Sequence, residues 1–173
     1  MDVFEVIEQR RSIRAFTGKE ISEADVKKIL DAARMAPSAG NIQPWIFIVA
    51  RKGDIKRRLA EAALNQRFIE EASVVIVVCA DEERSAGGYG SRGKHLYCIQ
   101  DAAAATENML LAAVGLGLGA CWVGAFREND VRETLKLPSG LRPVAIVPIG
   151  YPAENPRIPY KRSLEEIVRF ETF

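Results

Sequence analysis

The stretch HLYCIQDAAAATENMLLAAVGL, residues 95–116, decides how this chain folds. Read as one long helix, it does not keep its apolar residues to one side. Leu96, Ile99, Ala102, Ala103, Met109, Leu110, Ala113 and Val114 surround the axis. A helix that is apolar nearly all round is buried. In a chain of 173 residues, that points to burial against a partner subunit as well as the chain's own sheet.

The glycines after it, Gly115, Gly117 and Gly119 with Ala120, match the Gly-x-Gly-x-x-Ala spacing of a dinucleotide fingerprint. That fingerprint requires a strand before it and a helix after it. Here the helix comes first and a strand follows, so the glycines are read as a helix end and a place for close backbone packing.

Working outward, Ser73 to Ala80 is an almost unbroken β-branched run, the mark of a strand covered on both faces. Further strands are predicted at Trp45 to Ala50, Ala120 to Ala125 and Val144 to Ile149. Helices are predicted from about Asp54 to Leu64 and from Glu128 to Leu135. Another follows Ser22, which with Asp25 resembles a capping box, and Val26, Ile29, Leu30 and Ala33 give that helix its apolar face. Glu82 to Lys94 carries four glycines and mixed charges and reads as a mobile loop. Pro152, Pro156 and Pro159 make an extended tail, followed by a short helix or turn over Ser163 to Val168, capped by Ser163 and Glu166. There is no repeat, low-complexity tract or linker, so residues 1–173 are expected to form a single domain.

The totals exclude several functions. Lys and Arg number 24 against 23 Asp and Glu, a balance with no electrostatic footprint for nucleic acid or an anionic membrane. No N-terminal run resembles a signal peptide, and the best apolar stretch is broken by Glu107 and Asn108. Cys79, Cys98 and Cys121 are odd in number and lack metal-ligand spacing, so they are expected to be reduced thiols in a cytoplasmic protein. His95 is the only histidine and has no partner motif for a zinc site or a catalytic triad; it reads as an ordinary surface residue.

Two segments carry chemistry. The first is Arg10-Arg11-Ser12-Ile13-Arg14. If the opening segment is helical through Arg14, Val3, Ile7, Arg10 and Arg14 share one face. Guanidinium groups continuing an apolar stripe need an anion, because an unpaired buried charge costs several kcal/mol. No acidic residue is near in sequence on that face, and a phosphate suits forked donors. The alternative is a helix end whose basic residues complement the macrodipole. The second segment is Pro37-Ser38-Ala39-Gly40-Asn41-Ile42-Gln43-Pro44-Trp45, where small residues leave room for a flat ligand and Ser38, Asn41 and Gln43 offer polar groups at its edge.

These two segments, with Gly117-x-Gly119-x-Cys121-Trp122-x-Gly124 and the tail Pro159 to Val168, resemble in order and spacing the nitroreductase family of FMN-dependent oxidoreductases. The resemblance runs from about Val3 to Glu171. It implies an α+β fold, a three-layer α/β/α sandwich around a mostly antiparallel sheet, in an intertwined homodimer with one FMN at each subunit interface. By the same resemblance, Arg10, Ser12 and Arg14 hold the phosphate and ribityl end of FMN, and Arg11 sits beside them. Lys161 or Arg162 completes the phosphate site; the family order is usually reversed, which leaves the two roles open. Pro37, Ser38, Ala39 and Asn41 come from the other subunit along the ring. Cys121, Trp122, Val123 and Gly124 run behind it, with backbone N–H groups near N5. Cys121 is read as a small packing residue rather than a nucleophile, and Trp122 as core packed near the flavin.

The implied activity moves hydride from NADH or NADPH, through flavin N5, to a small acceptor such as a nitroaromatic or a quinone. One site used alternately by donor and acceptor implies ping-pong kinetics. No general acid or base is named. The alternatives are a specialised flavin reductase or dehalogenase of the same fold, and a flavin carrier or sensor without turnover.

Overall fold

The computed structural model describes residues 1–173. Helix α1 spans Val3–Gln9, α2 Glu23–Arg34, strand β1 Trp45–Ala50, α3 Gly53–Ala62, α4 Phe68–Glu71 and β2 Val74–Asp81. Then come α5 Glu82–Arg92, α6 Cys98–Gly115, β3 Gly119–Ala120, α7 Glu128–Leu135, β4 Leu141–Gly150 and α8 Leu164–Ile167. The four strands make one sheet in the order β1-β2-β4-β3, and every neighbouring pair is antiparallel.

The continuous apolar run of β2 has the expected cause, since the sheet is covered on both faces. Val74, Ile76, Val78 and Ala80 join a core with Ile29 of α2 and with Ala102, Met109 and Ala113 of α6. Val75, Val77 and Cys79 point the other way, into a second core with Leu59 of α3, Ile69 of α4 and Val131 of α7. Helix, sheet and helix thus form three layers, as expected, because a strand's alternate side chains need a cover on each side. Burial in the second core pushes the Cys79 thiol up to about 12. All three cysteines are free and buried. No helix is long and apolar enough to cross a membrane.

Helix α6 ends where the glycines predicted. Its last helical residue is Gly115, and Gly117 turns the chain at φ 72°. At Gly119 a Cβ would stand 2.8 Å from Cγ1 of Ile13, so only glycine permits that approach.

Three sequence expectations are corrected. Residues 82–94 are not a loop: α5 starts under a cap in which Asp81 accepts from the Arg84 N–H at 2.9 Å. It breaks at Tyr89 (φ −133°) and Gly90 (φ 53°) and continues into a wide turn over Gly93–Tyr97. Two glycines of residues 82–94 serve close packing, since a Cβ would run into the Ile42 side chain at Gly88 and into the Ser85 carbonyl oxygen at Gly93. The strand expected over Ala120 to Ala125 is reduced to Gly119–Ala120 and one bridge, Val123 to Ile146. Helix α1 stops at Gln9 rather than Arg14, which shapes the candidate site.

Candidate cofactor site

Asp2 begins α1 with a capping box shared with Glu5. Arg10 then leaves helical geometry at φ −57°, ψ 126°. The sheet captures the chain beyond it: Ser12 forms a parallel bridge with Ala120, and the Ile13 N–H donates to the Ala120 carbonyl at 3.0 Å. Ile13 is buried. Burying that side chain and pairing its amide outweighs another turn of a helix that buries no residue of its own. Val3, Ile7, Arg10 and Arg14 therefore do not share a helix face.

The extended backbone instead brings the cations together. Arg10, Arg11, Ser12, Arg14, Arg157 and Lys161 line one cleft of about 620 Å³, with the carboxylates of Glu8 and Glu107 at its wall. Five cationic residues thus face two acidic ones, a donor set with surplus positive charge and a hydroxyl among it. Glu107 of α6 is the acid that sequence proximity could not show; its Oε1 lies 3.7 Å from Nε of Arg10. The pair is partly exposed and loose, so it contributes little stability. Arg11 folds back, its Nη1 donating to the carbonyls of Glu8 at 2.5 Å and Arg10 at 2.8 Å. The Arg14 N–H is bound by Oε1 of Glu154 at 2.5 Å.

Of the two C-terminal candidates, Lys161 reaches the cleft and Arg162 does not line it. Arg162 donates from Nη2 to the Glu166 carbonyl at 2.9 Å. Arg157 was missed by sequence reasoning; its only signal was a basic residue between two prolines of an extended tail, which is unremarkable locally.

Residues 121–124 alternate buried and exposed, as an extended segment does. Cys121 is buried, and its N–H donates to the Pro148 carbonyl at 3.3 Å. Burial raises its thiol, against the pull of Arg14, the Ser12 hydroxyl and Arg10. A raised thiol is a poor nucleophile, which agrees with a packing role beside the arginine segment. Trp122 is 38% exposed, so its placement in the core is corrected. Val123 is buried and exchanges two backbone bonds with Ile146, at 2.9 and 3.0 Å. Gly124 is exposed.

The segment Pro37, Ser38, Ala39 and Asn41 lies outside this cleft. It forms a tight turn over Ala39–Asn41, with Gly40, Asn41 and Gln43 all at φ 54°. Its polar pattern has an internal use: Ser38 Oγ accepts from the Gln43 N–H at 2.9 Å, and Gln43 Nε2 donates to Asn41 Oδ1 at 3.2 Å. The turn rests on α6, where Asp101 Oδ1 accepts from the Ala39 N–H at 3.1 Å, and on α5, where Arg84 Nε donates to the Ile42 carbonyl at 2.7 Å. No group of His, Cys, Asp and Glu is arranged to hold a metal ion.

The fold is an α/β/α sandwich with a cationic, hydroxyl-bearing cleft at the end of its first helix, a donor set whose charge and geometry match a phosphate. The chain belongs to the nitroreductase family, whose model matches residues 7–66 and 61–151. It is 41% identical over 158 residues to a protein of Archaeoglobus fulgidus provisionally named NADH dehydrogenase/NAD(P)H nitroreductase, covering 89% of this chain and 87% of that one. It is 29% identical to the FMN reductase (NADPH) of Bacillus subtilis, over 91% of this chain and 70% of the other. Among solved structures, the NADPH:FMN oxidoreductase of Vibrio harveyi, complexed with NAD+, superposes with a TM-score of 0.91 at 27% identity, covering 99% of this chain and 77% of that one.

Proposed function

We propose that this chain is an FMN-dependent oxidoreductase that draws hydride from NADH or NADPH and delivers it by ping-pong turnover to a small acceptor, such as a nitroaromatic or a quinone. The observation that carries this reading is the cleft itself: five cationic residues and Ser12 converge where only two carboxylates oppose them. A phosphate dianion fits that donor set, because guanidinium forks and a hydroxyl match its oxygens and its charge offsets theirs. Arg10, Arg14, Ser12, Arg157 and Lys161 would hold the FMN phosphate, with Arg11 beside them. When bound, FMN supplies the chemistry, a ring that takes hydride at N5 and gives it up again.

The chain's own part is to place and shield that ring. Residues 1–173 act as one FMN-binding domain. Cys121, Trp122, Val123 and Gly124 would lie behind the ring, and Pro37, Ser38, Ala39 and Asn41 would come to it from a second copy of the chain. Within one copy the loop stands outside the cleft, so this reading calls for a homodimer to complete the site. Its interface has a source in the exposed apolar residues Val3, Phe4 and Ile7 of α1 and Tyr160, Leu164 and Phe170 of the tail. Large apolar side chains left in solvent favour association with a second surface. No side chain is assigned as general acid or base, since the bound flavin supplies the chemistry.

The test is a visible absorption spectrum of the purified protein, before and after anaerobic NADH or NADPH. A flavin spectrum that bleaches supports the proposal, and parallel double-reciprocal plots with a nitroaromatic acceptor support the alternating use of one site. A flavin spectrum that both nucleotides leave unchanged would point to a carrier. Colourless protein that takes up no added FMN would remove the reading altogether.

A further inference from the structure

Asp101 is a buried carboxyl that the proposed chemistry does not use. It sits on α6 between the fully buried Cys98 and Ala102, and only 7% of it is exposed. Oδ2 has no hydrogen-bond partner, and Oδ1 has one, the Ala39 N–H at 3.1 Å. Burial lifts its carboxyl above the ordinary range, with the Ala39 N–H opposing. A carboxyl buried on one hydrogen bond destabilises a core relative to an apolar side chain of similar size. Its presence is therefore not accounted for by stability.

Its one bond, however, lands on a strained element. The turn it grips holds two non-glycine residues, Asn41 and Gln43, in the left-handed region at φ 54°. Such backbone persists only where its surroundings over-determine it, and it concentrates at ligand clamps. The other external anchors are one hydrogen bond, from Arg84 to the Ile42 carbonyl, and one packing contact, the Tyr89 hydroxyl, which stands where a Cβ on Gly40 would be 2.6 Å away. Both come from α5, beside the α5 break at Tyr89 and Gly90. Asp101 alone ties the turn to the main core helix.

We propose that Asp101 is the positioning residue of the Ser38–Gln43 turn, holding its strained backbone in the shape that meets the flavin ring. The second half rests on the oxidoreductase reading above; the first does not. Stability and ligand affinity then depend on Asp101 with opposite signs, a trade expected of a strained site.

The experiment compares the whole chain with Asp101→Leu, Asp101→Asn and Ala39→Pro. Proline suits the first position of the turn and removes the N–H donor from the other side. Exchange of the Asn41 and Gln43 amides is read without cofactor, alongside thermal unfolding and the dissociation constants of FMN and of inorganic phosphate. Asp101→Leu is expected to unfold no earlier than the parent, exchange those amides about tenfold faster and bind FMN about tenfold more weakly, the loss of one hydrogen bond. Phosphate binding stays unchanged. Asp101→Asn keeps the acceptor and stays within about twofold of the parent, while Ala39→Pro reproduces the faster exchange. Unchanged exchange in Asp101→Leu overturns the proposal. So does earlier unfolding with FMN and phosphate weakened alike, or failure of Asp101→Asn to restore the turn. If the parent protein takes up no FMN, the oxidoreductase reading fails, and amide exchange still decides whether Asp101 holds the turn.

Discussion

Replacing Gly119 by alanine tests the contact on which the arginine segment depends. A Cβ there would lie 2.8 Å from Cγ1, 2.9 Å from Cβ and 2.9 Å from Cγ2 of Ile13. Ordinary carbon contacts begin near 3.5 Å, so Ile13 must retreat by about half an ångström or more. Rotating its side chain gives no relief, because its own Cβ is one of the clashing atoms. The backbone of Ile13 must therefore move, stretching the bond to the Ala120 carbonyl and tilting Ser12, Arg10 and Arg14 in the cleft. Overpacking of this kind costs about 1–3 kcal/mol, which lowers the melting temperature by about 2–12 °C for a chain of this size. The same shift weakens FMN binding. The assay is thermal unfolding followed by circular dichroism, with FMN affinity from fluorescence quenching. Gly115→Ala is the control: nothing lies within 4 Å of its would-be Cβ, and it sits in α6, so it is expected to be neutral or mildly stabilising. An unchanged melting temperature and FMN affinity in Gly119→Ala, matching the control, would refute the claim that this contact seats the arginines.

Other consequences are as direct. Arg10→Ala removes a cleft cation and is expected to weaken FMN by about 1.5–3 kcal/mol, roughly ten- to hundredfold; unchanged retention in equilibrium dialysis would deny Arg10 a phosphate role. Ser73→Ala strands the Ile21 N–H, now bonded to Ser73 Oγ at 2.8 Å in a buried setting, and removes a bond to Glu20. Urea unfolding should show a loss of about 1–3 kcal/mol. The Cys79 thiol is raised in the fold from 9.0 to about 12, so the folded chain keeps its proton longer than the unfolded chain. Stability from this group is full below pH 9.0 and is lost as pH rises toward about 12, by at most about 4 kcal/mol. Cys79→Ala should flatten that alkaline fall, measured against the parent at each pH.

The elements best foretold were those whose signals are local. Strand β1 runs Trp45–Ala50 and α7 runs Glu128–Leu135, at the predicted bounds, because alternation, caps and breakers act within a few residues. The unbroken β-branched run of β2 announced two covered faces, and α2 follows its Ser22 cap. The glycines of residues 82–94 misled because the same residue that loosens a loop also lets a helix pack closely, and only the neighbours of Gly88 and Gly93, the Ile42 side chain and the Ser85 carbonyl, separate the two uses.

What the sequence determined by itself was the layer order, the family through the order and spacing of its motifs, and the residue types from which a phosphate cleft could be made. The tertiary structure decided where α1 ends, since the Ala120 carbonyl that takes the Ile13 amide is far along the chain. It also decided that Glu107 faces Arg10, that Lys161 and Arg157 enter the cleft while Arg162 turns to Glu166, and that Trp122 stands outward. Asp101, which reads in sequence as one polar residue in an apolar helix, became a clamp only once Ala39 was placed against it. The division has one physical reason: periodicity and capping are set by neighbours in the chain, whereas the partner of a charge or a buried amide is set by packing between segments far apart in sequence.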